Sequence, residues 1–258
     1  MGNMIEIKTP AEIALMREAG RVVANALAAM KDAASIGTSM IELDAVGADV
    51  LKQAGATSPF LDYHPGWAPS PFPASICASV NDAVVHGIPT AAPLRDGDLV
   101  SIDFGAILNG WAGDAAISFV VGTPRDEDLA LIDATERALA AGIAAAQPGK
   151  KVGDIGFAVA GVARGEGYGL LADHGGHGIG RTMHEDPHIA NDARAGRGLR
   201  MRPGLVIAIE PMLHAGGSDD YKHDADGWTL RTADGSRAAH VEHTVAITED
   251  GPVILTLQ

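Results

Sequence analysis

The chain has 258 residues, 47% of them hydrophobic, which is enough to fill one large core or two fused halves. Its formal net charge of -14 and pI near 5.0 set it against phosphate backbones and anionic membranes, so direct nucleic-acid binding is not expected. The one cysteine, Cys77, excludes an intramolecular disulfide and suits a reducing cytoplasm.

Residues 1–30 carry Glu6, Lys8, Glu12, Arg17, Glu18 and Arg21 with no continuous apolar segment, so no signal peptide is expected. No apolar run is long enough to span a bilayer, and the chain is expected to be cytoplasmic. Thr9-Pro10-Ala11-Glu12 is a capping box with proline at the first helical position. Ile13, Met16, Gly20, Val23, Leu27 and Met30 follow at helical spacing. Ser39-Met40-Ile41-Glu42 opens a second helix, which Gly55 ends. Strand patterns cover 75–80, 98–104 and 111–121; helices return at 126–146 and 153–166; strands resume at 205–210, 228–231, 240–248 and 253–256.

Helices then strands, twice over, suggests a duplication. Gly37-Thr38-Ser39-Met40-Ile41-Glu42-Leu43 resembles Gly149-Lys150-Lys151-Val152-Gly153-Asp154-Ile155, and Val85-His86-Gly87-Ile88 resembles Gly176-His177-Gly178-Ile179. The stretch from Arg95 to Asp103 resembles that from Arg202 to Glu210, and Asp114 with the apolar run after it resembles Glu242 with its own. Four matches in one order imply a single α+β domain over 1–258, made of two pseudo-symmetric halves of about 10–122 and 123–258 with antiparallel strands inside.

Asn109-Gly110 marks a two-residue hairpin turn, which pairs Leu108 with Trp111, Ala106 with Gly113 and Gly105 with Asp114. Asp103 and Asp114 then lie diagonally on one face, about 7–8 Å apart at the backbone. Gly105, opposite Asp114, leaves space beside it. Two carboxylates converging in an apolar sheet repel unless a cation or a shared proton relieves them. If the halves are related by a twofold, Glu210 and Glu242 join them in one central space. His86 and His177 occupy equivalent repeat positions next to these acids. His64, His188, His214, His223 and His240 lack such support and are read as structural, while His174 and His243 are only adjacent. Asp103, Asp114, His177, Glu210 and Glu242 together suit divalent Mn, Fe, Co or Zn. Bridging carboxylates favour two ions about 3.5–4 Å apart, and the chemistry implied is hydrolysis.

These residues resemble those of the type I methionine aminopeptidases, a peptidase family with the pita-bread fold. The likeness runs from Lys8-Thr9-Pro10 to the last strand. Its motifs are the run from Ser79 to Pro89, Gly176-His177-Gly178-Ile179-Gly180-Arg181, His184-Glu185-Asp186-Pro187, Ile209-Glu210-Pro211-Met212 and Glu242-His243-Thr244. The resemblance implies a metalloexopeptidase that removes the initiator methionine from nascent polypeptides, preferring a small second residue. Met1-Gly2 of this chain fits that rule. By resemblance Asp103 chelates one ion, Asp114 and Glu242 bridge two, and His177 and Glu210 complete the other site. Glu210 also serves as general base, His86 contacts the scissile amide and His184 stabilises the oxyanion. Phe60, Tyr63, Phe72, Cys77, Met183 and Trp228 line the methionine pocket, and a monovalent cation sits near Asn81. A monomer working close to the ribosome is expected. The chain departs from the family in an extra stretch, Gly66-Trp67-Ala68-Pro69-Ser70-Pro71, beside the pocket, and in the flexible Met183 before His184. It lacks the family's zinc-binding N-terminal extension, and only 25 residues separate His184 from Glu210, too few for the helical insertion of type II enzymes. Two alternatives stand beside this reading: a proline-specific Xaa-Pro peptidase of the same fold, and a non-catalytic binding protein, which would be expected to have lost ligands.

Overall fold

Helix α1 (Pro10–Ala33) begins where its capping box dictates: Thr9 Oγ1 accepts from the Glu12 N–H, and the Glu12 carboxylate accepts from the Thr9 N–H. Ser39 and Glu42 repeat the device at α2 (Met40–Ala54), which stops at Gly55 in the left-handed conformation, φ 67°. The computed structural model describes residues 5–258, so the Met1-Gly2 terminus lies outside the described residues. Strands β1 (Ile76–Val80), β2 (Ala83–Val85), β3 (Leu99–Leu108) and β4 (Trp111–Val120) complete the first group. Helices α3 (Asp126–Ala145) and α4 (Val152–Gly165) precede β5 (Gly169–Leu170), β6 (Gly175–Gly178), β7 (Glu185–Ala190), β8 (Val206–Ile209) and β9 (Met212–His214). Then come β10 (Tyr221–His223), β11 (Leu230–Thr232), β12 (Ala238–His240), β13 (Glu242–Thr248) and β14 (Gly251–Ile254).

One antiparallel sheet carries the centre of the molecule in the order β1-β3-β4-β13-β8-β6-β7, with β14 also paired to β13. Two three-stranded sheets, β10-β11-β2 and β12-β9-β5, flank it. Val23, Leu27 and Met30 of α1 bury against Val100, Ile102 and Phe104 of β3. Leu131 and Leu139 of α3, with Ile155 and Val159 of α4, bury against Ile207 and Ile209 of β8. Each helix pair thus covers one part of the sheet, which gives the pita-bread α+β architecture. Among the described residues, no helix is long and apolar enough to cross a membrane.

The expected hairpin has the expected register: Leu108 opposite Trp111, Ala106 opposite Gly113 and Gly105 opposite Asp114. Gly105 serves a different purpose from the one its position suggests. A Cβ there would lie 2.5 Å from Pro59 Cγ and 3.1 Å from a Phe60 ring carbon. Its missing side chain admits the Pro59-Phe60 segment rather than leaving space beside Asp114.

The strand expected over 240–248 is two strands, because the chain changes sheets at Val241: β12 pairs with β9, and β13 pairs with β4 and β8. The hydroxyls of Ser101 and Ser118 take up the His240 backbone there, in place of a ladder. Strand β6 escapes a pattern reading because Gly175-Gly176-His177-Gly178 has no apolar alternation. Its glycines are needed for close approach: a Cβ on Gly176 would sit 2.0 Å from the Ala208 carbonyl oxygen. Gly176→Ala is therefore expected to cost about 3 kcal/mol in a urea melt. A midpoint equal to wild type would contradict this packing.

Candidate metal centre and its cleft

The sheet register assembles the acids. Cys77 on β1 faces Asp103 on β3, Asp103 faces Ala116 on β4, and Ala116 faces Glu242 on β13. Asp114, two residues from Ala116, shares that face by strand alternation. Its backbone is held on both sides by Thr244 Oγ1, which accepts from the Asp114 N–H at 3.0 Å and donates to its carbonyl at 2.8 Å. Glu210 follows β8, and its carbonyl accepts from Asn191 Nδ2 at 2.9 Å. His177, on β6, has Nδ1 2.9 Å from the Gly178 carbonyl. That contact fixes the proton on Nδ1 and turns the Nε2 lone pair toward the acids, where a metal ion can take it. Nε2 lies 3.6 Å from Glu210 Oε1 and 3.9 Å from Asp114 Oδ2.

The acids are poorly solvated. Burial pushes Asp114 up to about 7, and burial together with the Asp114 charge pushes Glu210 up to about 8. Asp103 and Glu242 rise well above the usual carboxylate range for the same two reasons, burial first. Asp103 Oδ1, Asp114 Oδ1, Glu242 Oε1 and His240 Nε2 are buried without a hydrogen-bond partner among the described residues. Ligand atoms of Asp114, His177 and Glu242 lie within 4.8 Å of one another, and so do those of Glu210, His240 and Glu242. Unpartnered carboxylate oxygens converging with imidazole nitrogens are the donor set that a borderline divalent ion takes. Without a cation, each buried charge here would face its neighbours uncompensated. The residues present therefore fit divalent metal.

A cavity of about 330 Å³ opens over the centre. Asp103, Asp114, His177, Glu210 and Glu242 line it, as do His86 and His184. Phe60, Tyr63, Phe72, Cys77, Met183 and Trp228 line it as well, all of them but Tyr63 buried. His184 stacks edge-on to His177 with ring centroids 4.3 Å apart and meets Tyr63 at 5.5 Å. The loop carrying His184 is clamped by Glu185, whose carboxylate accepts from the Arg181 N–H and from the buried Lys8 Nζ, at 2.8 and 2.7 Å. His86 adopts a left-handed φ of 59°, a conformation rarely held outside functional or turn positions. Burial, then His174, lowers His86 to about 4; burial, then His184, lowers His177 to about 3. Both imidazoles are thus neutral near pH 7. Cys77 stays a thiol, because burial and the four acids all push its pKa up.

The cavity also takes in Trp67, Asp173, His174, His188 and Met212. Trp67 belongs to the 66–71 insertion and packs edge-on to Trp228 at 5.0 Å. The Ser70 carbonyl accepts from Trp228 Nε1 at 3.2 Å, which pins the insertion to the apolar wall. His240, read as structural from sequence, stands inside the acidic cluster. Its signal was the two-residue step to Glu242, which puts both on one face of an extended segment.

A model of metallopeptidase family M24 matches residues 14–249. Methionine aminopeptidase 1 of Mycobacterium tuberculosis is 51% identical, the match covering 99% of this chain and 96% of that protein. The crystal structure of methionine aminopeptidase from Rickettsia prowazekii superposes with a TM-score of 0.94 at 38% identity, over 98% of this chain and all of that one. Prolidase from Pyrococcus furiosus superposes less closely, with a TM-score of 0.75 at 25% identity, and this chain spans only 65% of it. The likeness is thus full-length and closer on the methionine side than on the proline-specific side. The chain belongs to metallopeptidase family M24 and, within it, to the methionine aminopeptidases.

Proposed function

We infer that this chain hydrolyses the N-terminal methionine from nascent polypeptides and peptides, in a metal-dependent reaction that favours a small second residue. The observation that carries the reading is that one cavity is lined both by five side chains able to ligate a metal and by an apolar, largely aromatic wall. Asp103, Asp114, His177, Glu210 and Glu242 hold two divalent ions, drawn from Co, Mn, Fe or Zn. When bound, the ions lower the pKa of a water and polarise the amide carbonyl.

The protein's own groups do the rest. Phe60, Tyr63, Phe72, Cys77, Met183 and Trp228 enclose the methionine side chain, so its burial supplies binding energy. Glu210 takes a proton from the attacking water and passes it to the leaving amine. His184, held against His177 and Tyr63, donates to the carbonyl oxygen as charge builds there. His86, which lines the same cavity, contacts the scissile amide. Trp67, exposed at the rim, packs on Trp228 at the edge of the same pocket. The same reading makes the protein a cytoplasmic monomer acting close to the ribosome, with a monovalent cation at the Asn81 loop, where the backbone turns through φ 58°.

His184→Ala and His86→Ala are each expected to lower kcat about 10²-fold while bound metal, measured by elemental analysis, stays at the wild-type level. Loss of metal in either variant would move that residue into the ligand set instead. Turnover of a Met-X-Ser series should fall as X grows from Gly and Ala to Leu. The proline-specific alternative predicts instead that Met-Pro-Ser is the preferred substrate.

A further inference from the structure

His240 ends β12 and is 1% exposed. Its backbone is anchored by one hydroxyl on both sides: Ser118 Oγ accepts from the His240 N–H at 3.1 Å and donates to its carbonyl at 2.8 Å, with Ser101 Oγ 3.3 Å from the same N–H. The imidazole is aimed at the acids. Nε2 lies 3.7 Å from Glu210 Oε2 and 4.0 Å from Glu242 Oε2. Both separations are too long for hydrogen bonds, and the atom has no other partner among the described residues. A buried polar atom left so is destabilising unless something outside the polypeptide satisfies it.

The same spacing recurs across Glu210. His177 Nε2 stands 3.6 Å from Oε1 of that carboxylate, while His240 Nε2 stands 3.7 Å from Oε2. Two neutral imidazoles thus face the two oxygens of one carboxylate, each with a second acid behind it: Asp114 for His177 and Glu242 for His240. Separations of this size are too long for direct bonding and short enough for one ion to be shared.

We propose that His240 is a metal ligand of this centre, its Nε2 holding a divalent ion together with Glu210 and Glu242. The inference rests on the metal-centre reading above and extends its protein donors from five residues to six. It has a chemical consequence. A second imidazole favours ions that take nitrogen well, such as Co(II) and Zn(II), over Mn(II), which stands lowest in the order of divalent affinities.

The test uses wild-type protein labelled with ¹⁵N-histidine, stripped of metal and titrated with Zn(II). Two Nε2 resonances, those of His177 and His240, are expected to move to the position of coordinated imidazole. Calorimetry on His240→Gln should show Co(II) affinity at one site reduced about tenfold or more, with a smaller loss for Mn(II). A His240 resonance that stays put while that of His177 moves, or a Co(II) isotherm for His240→Gln identical to wild type, overturns the inference and leaves the five-residue centre standing. If neither resonance moves, the centre itself is wrong. The wild-type spectrum decides the matter even if the variant fails to fold.

Discussion

Glu210→Ala is expected to release no measurable methionine from Met-Ala-Ser, at least about 10³-fold below wild type in kcat. The loss is large because one carboxylate does two things. It sits between two imidazoles, with an oxygen toward each, so its removal opens the metal centre. The base role inferred for it adds to this, since the same carboxylate would take a proton during the reaction and return it. Glu210→Gln separates the two roles. It keeps an oxygen donor but no base, so it should retain more metal than Glu210→Ala and yet remain nearly as inactive. A Glu210→Gln enzyme within tenfold of wild type would remove the base assignment.

Stability without metal should fall as pH rises from 6.5 to 8. Asp114 moves from 3.8 to about 7 in the fold and Glu210 from 4.5 to about 8, both through burial first. A carboxyl raised by folding contributes stability that is whole below its unfolded pKa and is lost as pH rises through the folded value. His177 and His240, lowered to about 3, and His86, lowered to about 4, act in the other direction, mostly below their unfolded value of 6.5 and with a tail that ends at about pH 7.5. Across pH 6.5 to 8 the carboxyls outweigh that tail, because Asp103 and Glu242 are raised in the same sense as Asp114 and Glu210. The loss is on the order of 2 kcal/mol, or a Tm drop of about 5 °C in a chain of this size. Bound divalent ions should cancel most of it, because they stabilise the ionised carboxylates. Thermal melts of EDTA-treated protein at the two pH values, with and without Mn(II), check the sign. A metal-free Tm that rises over this interval would contradict the buried, uncompensated cluster.

The parts of the site that follow from local rules are readable in the sequence. Asn109-Gly110 sets a hairpin register that can be counted residue by residue, and it puts Asp103 and Asp114 on one face before any tertiary contact is known. The capping boxes at Thr9 and Ser39 fix two helix starts in the same way. What is not readable depends on partners far along the chain. Gly105 looks like space left for Asp114, but it accommodates Pro59 and Phe60, and nothing near residue 105 says so. His240 precedes Glu242 by two, a spacing met in many ordinary strands. Its meaning comes from the sheet change at Val241, which depends on Ser101 and Ser118 more than a hundred residues earlier. The extra residues 66–71 announce a departure from the family pattern, while their attachment to Trp228 is set by that distant side chain.

The most direct test is mass spectrometry of Met-Ala-Ser incubated with metal-stripped protein, before and after addition of Co(II), Mn(II), Fe(II) or Zn(II). Free methionine and Ala-Ser should be produced only after at least one of these ions is added, and should stop again with EDTA. Intact tripeptide under every ion, from protein shown to be folded, would contradict the assignment of this cavity as a methionine-releasing metal centre.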